Sequence, residues 1–294
     1  MLSASMADTN PRQPLSEKKK AALLRLLADK DPGAIHLLEE AFLAKGADSL
    51  QILSELSLEA PAPARKNAAA ILLTVQRQLA REQFTRFCAQ GSDLEEGVFL
   101  LAHTRYPAFA RDTHTKQLDE FAETLRPKVD TDNAKQCVEE MNQLLFGVLG
   151  FRGNVENYYD PDNSFINRVL DRRSGIPITL SAVYLFVAWR LDLPFVGVGM
   201  PGHFVLKWHH PRPKAGELFV DPFNEGRILT KDECVAFLTR NGHQFSDDML
   251  AAVTARQILA RMCNNLVAIY RQEDEPQLAS QYEEFAAALS QPER

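Results

Sequence analysis

Apolar residues return at helical spacing in one short block after another through the first half of the chain. Ala21, Leu23, Leu24, Leu26 and Leu27 line one face behind Ser16-Glu17-Lys18-Lys19-Lys20, and Asp31-Pro32-Gly33 breaks that helix. Residues 35–45 predict a second helix stopped by Gly46, residues 49–56 a short third, and residues 65–88 a long fourth behind Pro61 and Pro63. Ser92-Asp93-Leu94-Glu95 reads as a capping box with Ser92 at the cap, opening a helix that carries Val98, Leu100, Leu101 and His103 to Tyr106-Pro107. Residues 115–125 predict one more helix, and the stretch from Asp130-Thr131-Asp132 to Gly147 or Gly150 another. Residues 1–14 are polar and without periodicity, the pattern of a disordered tail.

The pattern changes after Gly150. Residues 153–164 are dense in Asn, Asp, Tyr and Gly, a loop composition. Residues 165–173 are helix-like, and residues 178–191 form an apolar helix, too short and too interrupted by Thr179, Ser181, Trp189 and Arg190 to cross a bilayer. Strand-like runs follow at residues 195–198, 204–208 and 218–220, the first two joined by Gly199-Met200-Pro201-Gly202. Residues 230–240 and 248–286 are helical again. In the latter, Ile258, Met262, Leu266 and Ile269, then Leu278, Tyr282, Phe285 and Leu289, form the stripe of a helical hairpin. Many helices around a few strands predict a helix-rich α+β protein.

Composition narrows the class only slightly. The 294 residues carry 33 basic and 39 acidic side chains, a net charge of −6 that disfavours general nucleic-acid binding. Residues 1–14 have no apolar core of a secretory signal. Cys88, Cys137, Cys234 and Cys263 form no C-x-x-C pair, so they give no zinc or iron–sulfur signature and are expected as buried thiols of a cytoplasmic protein. Neither a cofactor nor a metal is expected.

Candidate chemistry gathers in the strand region. His203 opens one strand beside Gly202 and Asp221 closes another, and neighbouring antiparallel strands would set the carboxylate against the imidazole. A nucleophile belongs at a nearby helix start, where the helix dipole stabilises a thiolate. The helix there opens Gly175-Ile176-Pro177-Ile178-Thr179-Leu180-Ser181, with no cysteine. Thr179 and Ser181 offer hydroxyls, and Cys137 and Cys234 would have to fold into the cleft to substitute. Asn157, Tyr158, Asn163 and Ser164 give the polar loop two readings, scaffolding through Asx-turns or a ligand-recognising rim beside His203. Arg172 and Arg173 would bind an anionic group or pair with Asp171 or Glu156. Trp208-His209-His210 reads as a strand end entering a turn over residues 211–216.

The strings Gly153-Asn154-Val155-Glu156-Asn157-Tyr158-Tyr159-Asp160-Pro161-Asp162-Asn163-Ser164, Val169 through Ser181, Gly199-Met200-Pro201-Gly202-His203-Phe204 and Phe219-Val220-Asp221-Pro222-Phe223-Asn224 together resemble the SirB-type branch of the transglutaminase-like superfamily, over residues 93–228. The tail is similar to that family's degenerate tetratricopeptide-like tail. The resemblance implies a papain-like core with a cysteine at the start of a buried helix and a histidine and an aspartate on neighbouring strands. His203 and Asp221 match the latter two positions, and Pro177 stands where the family's enzymes carry cysteine. The expected organisation is a tail over residues 1–14, a helical region over 15–128, a transglutaminase-like core with a small antiparallel sheet over 129–247, and a helical tail over 248–294. The expected function is a non-catalytic peptide- or protein-binding protein, regulatory or scaffolding, with a peptide or protein partner and no membrane. The alternatives are a hydrolase or acyltransferase using His203 and Asp221 with an unexpected nucleophile, and a purely helical adaptor.

Overall fold

A computed structural model of the chain describes residues 16–209 and 217–291. The tail expected over residues 1–14, the turn expected over residues 211–216 and His210 lie outside them. The chain divides into two compact units between Leu79 and Ala80. That division falls inside a helix, and the boundary expected at 128/129 does not coincide with it.

The first unit holds α1 (Glu17–Leu27), α2 (Pro32–Lys45), α3 (Leu50–Glu59) and the beginning of α4 (Ala62–Gln90). Asp31 caps α2 by accepting the Gly33 N–H at 3.0 Å, with Pro32 at the first helical position where its missing N–H costs nothing. Gly46 ends the helix at φ 54°, a backbone angle that favours glycine. Leu27, Phe42, Leu53, Leu56, Ile71 and Val75 are the buried centre of this unit.

The second unit contains everything that positions the candidate site. It opens, beyond the end of α4, with α5 (Leu94–Arg105) and α6 (Arg111–Leu125). The cap of α5 is Asp93 rather than Ser92: its carboxylate accepts the Glu96 N–H at 2.6 Å. Asp competes well for this role because its charge also favours the positive end of the helix dipole. Next comes α7 (Ala134–Asn142), continued by a wider turn over Gln143–Val148. Two-residue strands β1 (Arg152–Gly153) and β2 (Ser174–Gly175) pair in parallel and tie the start of the polar loop to the end of α8 (Ile166–Arg172).

The centre of this unit is α9 (Pro177–Arg190), whose residues from Pro177 to Ala188 are all buried. A helix apolar on every side must be covered on every side, and α9 packs on α6, on α8 and on the sheet. That sheet is antiparallel in the order β3 (Phe195–Val198), β4 (Val205–Trp208), β5 (Phe219–Asp221), β6 (Arg227–Leu229). The strand β6 was not expected: with two of its three residues exposed it shows no alternation to read.

Helix α10 (Lys231–Arg240) follows, opened by a capping box between Thr230 and Glu233. The helical stretch expected over 248–286 is two helices, α11 (Ala255–Gln272) and α12 (Pro276–Leu289), broken where Asp274 takes φ 59°. Their stripe, including Ile258, Met262, Leu266, Tyr282 and Phe285, is packed into the main core. The protein is therefore a helix-rich α+β fold with one small antiparallel sheet.

Candidate functional site

The sequence around His203 builds a tight turn. Met200 accepts the His203 N–H at 3.1 Å across Pro201 and Gly202, and Gly202 takes φ 75°. Proline first and a positive-φ glycine second is the requirement of a type II turn. It presents His203 at the entrance to β4. The string Asp221-Pro222-Phe223-Asn224 builds the facing element: Asp221 ends β5 and its Oδ1 accepts the N–H groups of Phe223 at 3.1 Å and Asn224 at 3.3 Å. With β4 and β5 adjacent, the His203 Nε2–H reaches Asp221 Oδ2 at 2.7 Å, and Asn224 Nδ2 donates to the same oxygen at 2.7 Å.

Both groups are largely shielded from water. Burial alone raises the Asp221 pKa, but the hydrogen bond and charge of His203, with the Asn224 hydrogen bonds, outweigh it and hold the carboxyl below its ordinary value. An imidazole that donates from Nε2 to a carboxylate keeps its lone pair on Nδ1 when neutral. That nitrogen has no hydrogen-bond partner among the described residues. Phe237 and Phe223 flank the ring at centroid distances of 5.4 and 6.3 Å, and Arg261 Nη2 donates to the His203 carbonyl at 2.8 Å.

His203 and Asp221 line a cavity of about 610 Å³. Pro177, at the first turn of α9, lines it with them, as do Tyr158, Met200, Gly202, Phe223 and Asn224. The remaining wall comes from β6 and α10: Arg227, Leu229, Glu233, Cys234, Ala236, Phe237 and Arg240. Except for Cys234, sequence reasoning named none of these seven. Glu233, Ala236, Phe237 and Arg240 share one face of a helix by their spacing, a signal present in the sequence, but spacing does not say which cavity a face borders.

The cysteines are all buried, and burial raises each thiol: Cys88 to about 12, Cys137 and Cys234 to about 11, and Cys263 well above the ordinary value. Cys234 borders the cavity, yet Glu233 and Asp221 add to the effect of burial and disfavour its thiolate further. Cys137 lies at the start of α7 and donates to the Asp130 carbonyl at 3.0 Å, and it does not line the cavity. Thr179 is committed to structure, donating to the Asn163 carbonyl at 2.6 Å and accepting the Ile176 N–H at 3.2 Å. Ser181 is fully buried inside α9 with its hydroxyl unpartnered among the described residues.

Of the polar loop, Tyr158 alone borders the cavity, in edge contact with Phe223 at 5.9 Å. Asn163 is fully buried and organises the loop: its amide donates to the carbonyls of Asn157 at 2.7 Å and Tyr158 at 3.2 Å and accepts from Asn154 at 2.9 Å. Asn157 therefore serves through its backbone, and Ser164 is buried beneath. None of these three lines the cavity: Asn163 is spent on the loop itself, the Ser164 hydroxyl is buried without a partner among the described residues, and the Asn157 side chain is exposed.

Arg172 pairs with Asp160 at 2.7 Å and Asp162 at 3.0 Å rather than with Asp171 or Glu156. Asp162 is a hub, also held by Arg168 at 2.9 Å and by the Tyr106 hydroxyl. Arg173 takes φ 55° and lies over the rings of Phe121 and Phe151 at 5.0 and 4.7 Å, away from the cavity. Among the described residues no cluster of His, Cys, Asp and Glu is arranged to hold a metal, and no helix is long and apolar enough to cross a membrane.

A helix start, a histidine on one strand and an aspartate on the next define a transglutaminase-like arrangement. The profile of the transglutaminase-like superfamily matches residues 112–264. The chain belongs to this superfamily, in its SirB-type branch. A UPF0162 protein of Xylella fastidiosa is 34% identical over 180 residues, 59% of this chain and 63% of that protein. The UPF0162 protein of Vibrio cholerae is 35% identical over 112 residues, 37% of this chain and 39% of its own. F-box only protein 21 of Homo sapiens is 33% identical over 143 residues, covering 47% of this chain and 22% of that protein. The chain thus spans less than two thirds of the length of the curated relatives it matches. No solved structure matches.

Proposed function

We propose that the chain is a non-catalytic transglutaminase-like protein whose cavity recognises a peptide segment of a partner protein in a regulatory or scaffolding role. The observation that carries this reading is the neighbour of His203 across the cavity: Pro177 lines it at the helix start. Proline has no group that can attack a carbonyl, and the buried thiols are held protonated. An oriented imidazole without an activated nucleophile supplies only half of covalent catalysis. The wall is largely apolar and aromatic with a few polar groups, the usual character of a recognition pocket. The similar segment makes up 22% of F-box only protein 21, which supports its being carried as one part of a longer protein. Free thiols suit a cytoplasmic setting.

The test is covalent labelling. The native chain is treated with iodoacetamide and, separately, with a fluorophosphonate, and adducts are mapped by mass spectrometry. Absence of selective labelling is the expected result. Selective labelling at Cys234, Cys137 or Ser181 that disappears in His203→Ala overturns the reading. It would establish the second one, a hydrolase or acyltransferase, which the His203–Asp221 hydrogen bond favours.

A further inference from the structure

Resting on the reading of the cavity as a peptide-binding cleft, we infer that its occupant is an extended peptide carrying an aspartate or glutamate beside a large apolar side chain. The inference comes from which polar groups on the wall remain unsatisfied. Asp221 spends both oxygens on His203, Asn224 and the backbone of Phe223 and Asn224. Glu233 is engaged but not saturated: Oε1 accepts from Arg227 Nη2 at 2.7 Å, and Oε2 accepts the Thr230 N–H at 2.9 Å. Asp221 has no acceptor site left, and the charge of Glu233 is already offset by Arg227.

Arg240 differs. Its Nε donates to the Ala236 carbonyl at 3.3 Å, one turn back on its own helix. Its two terminal nitrogens have no hydrogen-bond or ion-pair partner among the described residues. A guanidinium offers several N–H donors in a planar fork that fits a carboxylate. What the wall still has to give is therefore cationic donor capacity, and a ligand answers it with an anionic acceptor. A basic ligand would meet the repulsion of Arg240, with Asp221 saturated and Glu233 already paired with Arg227.

The remaining surface selects the neighbouring group. Tyr158, Phe223 and Phe237 present rings to the cavity, with Met200 and Leu229 beside them. A cavity of about 610 Å³ is in the range that takes a bulky side chain with its flanking backbone. The extended conformation follows from β6. It is the outer strand of the sheet, with no strand on its far side among the described residues. Its alternate residues Arg227 and Leu229 face the cavity. A peptide added along such an edge places alternate side chains toward the same cavity.

The experiment selects a display library of random decapeptides on the full chain. Peptides with Asp or Glu adjacent to Phe, Tyr, Trp or Leu are expected to enrich. In fluorescence anisotropy, a synthetic copy of an enriched peptide should lose about tenfold in affinity on Glu→Gln, the loss of one charged hydrogen bond. The Arg240→Gln chain should bind both copies equally; Arg240 is exposed, so the fold does not depend on it. Phe237→Ala should weaken both copies together. Enrichment without acidic residues, or a preference for Glu that survives Arg240→Gln, overturns the acidic ligand while leaving a peptide cleft standing. Failure of any peptide to enrich overturns both.

Discussion

Replacing Asp221 by asparagine keeps the shape of the side chain and changes its hydrogen-bond polarity. In the wild type Oδ1 accepts two backbone N–H groups and Oδ2 accepts from His203 Nε2 and Asn224 Nδ2, both at 2.7 Å. Asparagine has one acceptor oxygen, which the backbone of the Pro222–Asn224 turn claims. Its amide NH₂ then meets donors from His203 and Asn224. The neutral imidazole can relieve the conflict only by moving its proton from Nε2 to Nδ1, and Asn224 only by turning its amide. The charge-assisted bond is lost outright, worth about 1.5–3 kcal/mol. For a compact unit of this size the expected fall in Tm is roughly 3–12 °C.

The assay pairs urea denaturation with ¹⁵N NMR of the histidine ring. At alkaline pH the wild-type spectrum should show the Nε2–H tautomer and the Asp221→Asn spectrum the Nδ1–H tautomer. The pH dependence has a definite sign. The Asp221 pKa is lower folded than unfolded, so the stability it contributes is full above the unfolded value of about 3.9 and is lost as pH falls through the folded value. The gap between wild type and Asp221→Asn must therefore narrow below about pH 4. A gap under about 0.5 kcal/mol at pH 7, the scale of an exposed pair, or a gap unchanged by acid, would refute the reasoning.

Other consequences are equally open to measurement. Native thiols should resist iodoacetamide at pH 7.5 and all four should react once urea unfolds the chain, because burial holds each of them protonated and covered; a fast-reacting native thiol in the mass spectrum contradicts this. Gly226→Ala should destabilise by roughly 1–3 kcal/mol in urea, since φ is 73° there and an added Cβ would lie 1.9 Å from Asn142 Oδ1. Leu266→Ala, in the middle of α11 and fully buried, should cost about 2–5 kcal/mol. A cost near zero would show that the C-terminal hairpin is not part of the folded core.

The candidate pair was readable because each half is made locally. Pro201-Gly202 forces the turn that presents His203, and Asp221-Pro222 is a helix-cap string whose carboxylate must turn back on its own backbone. Arg172 and the polar loop were less readable. A run of Asn, Asp and Tyr looks the same whether it faces a ligand or ties itself together, and Asn163 is buried only because Asn154, Asn157 and Tyr158 fold over it.

The 3.6-residue periodicity, the caps and the proline–glycine punctuation are short-range effects, so the chain itself determined the helices, three of the four sheet strands, the turn at His203 and the cap at Asp221. Only the tertiary structure decided what surrounds that pair. The α10 face of Glu233, Ala236, Phe237 and Arg240 borders the cavity because the sheet and the Pro222–Asn224 turn pack on α9 and β6 and α10 follow directly from that turn, and Pro177 and His203 line one cavity for the same reason. Such contacts depend on closing loops of tens of residues, whose outcome is set by the packing of the whole core and by no local preference.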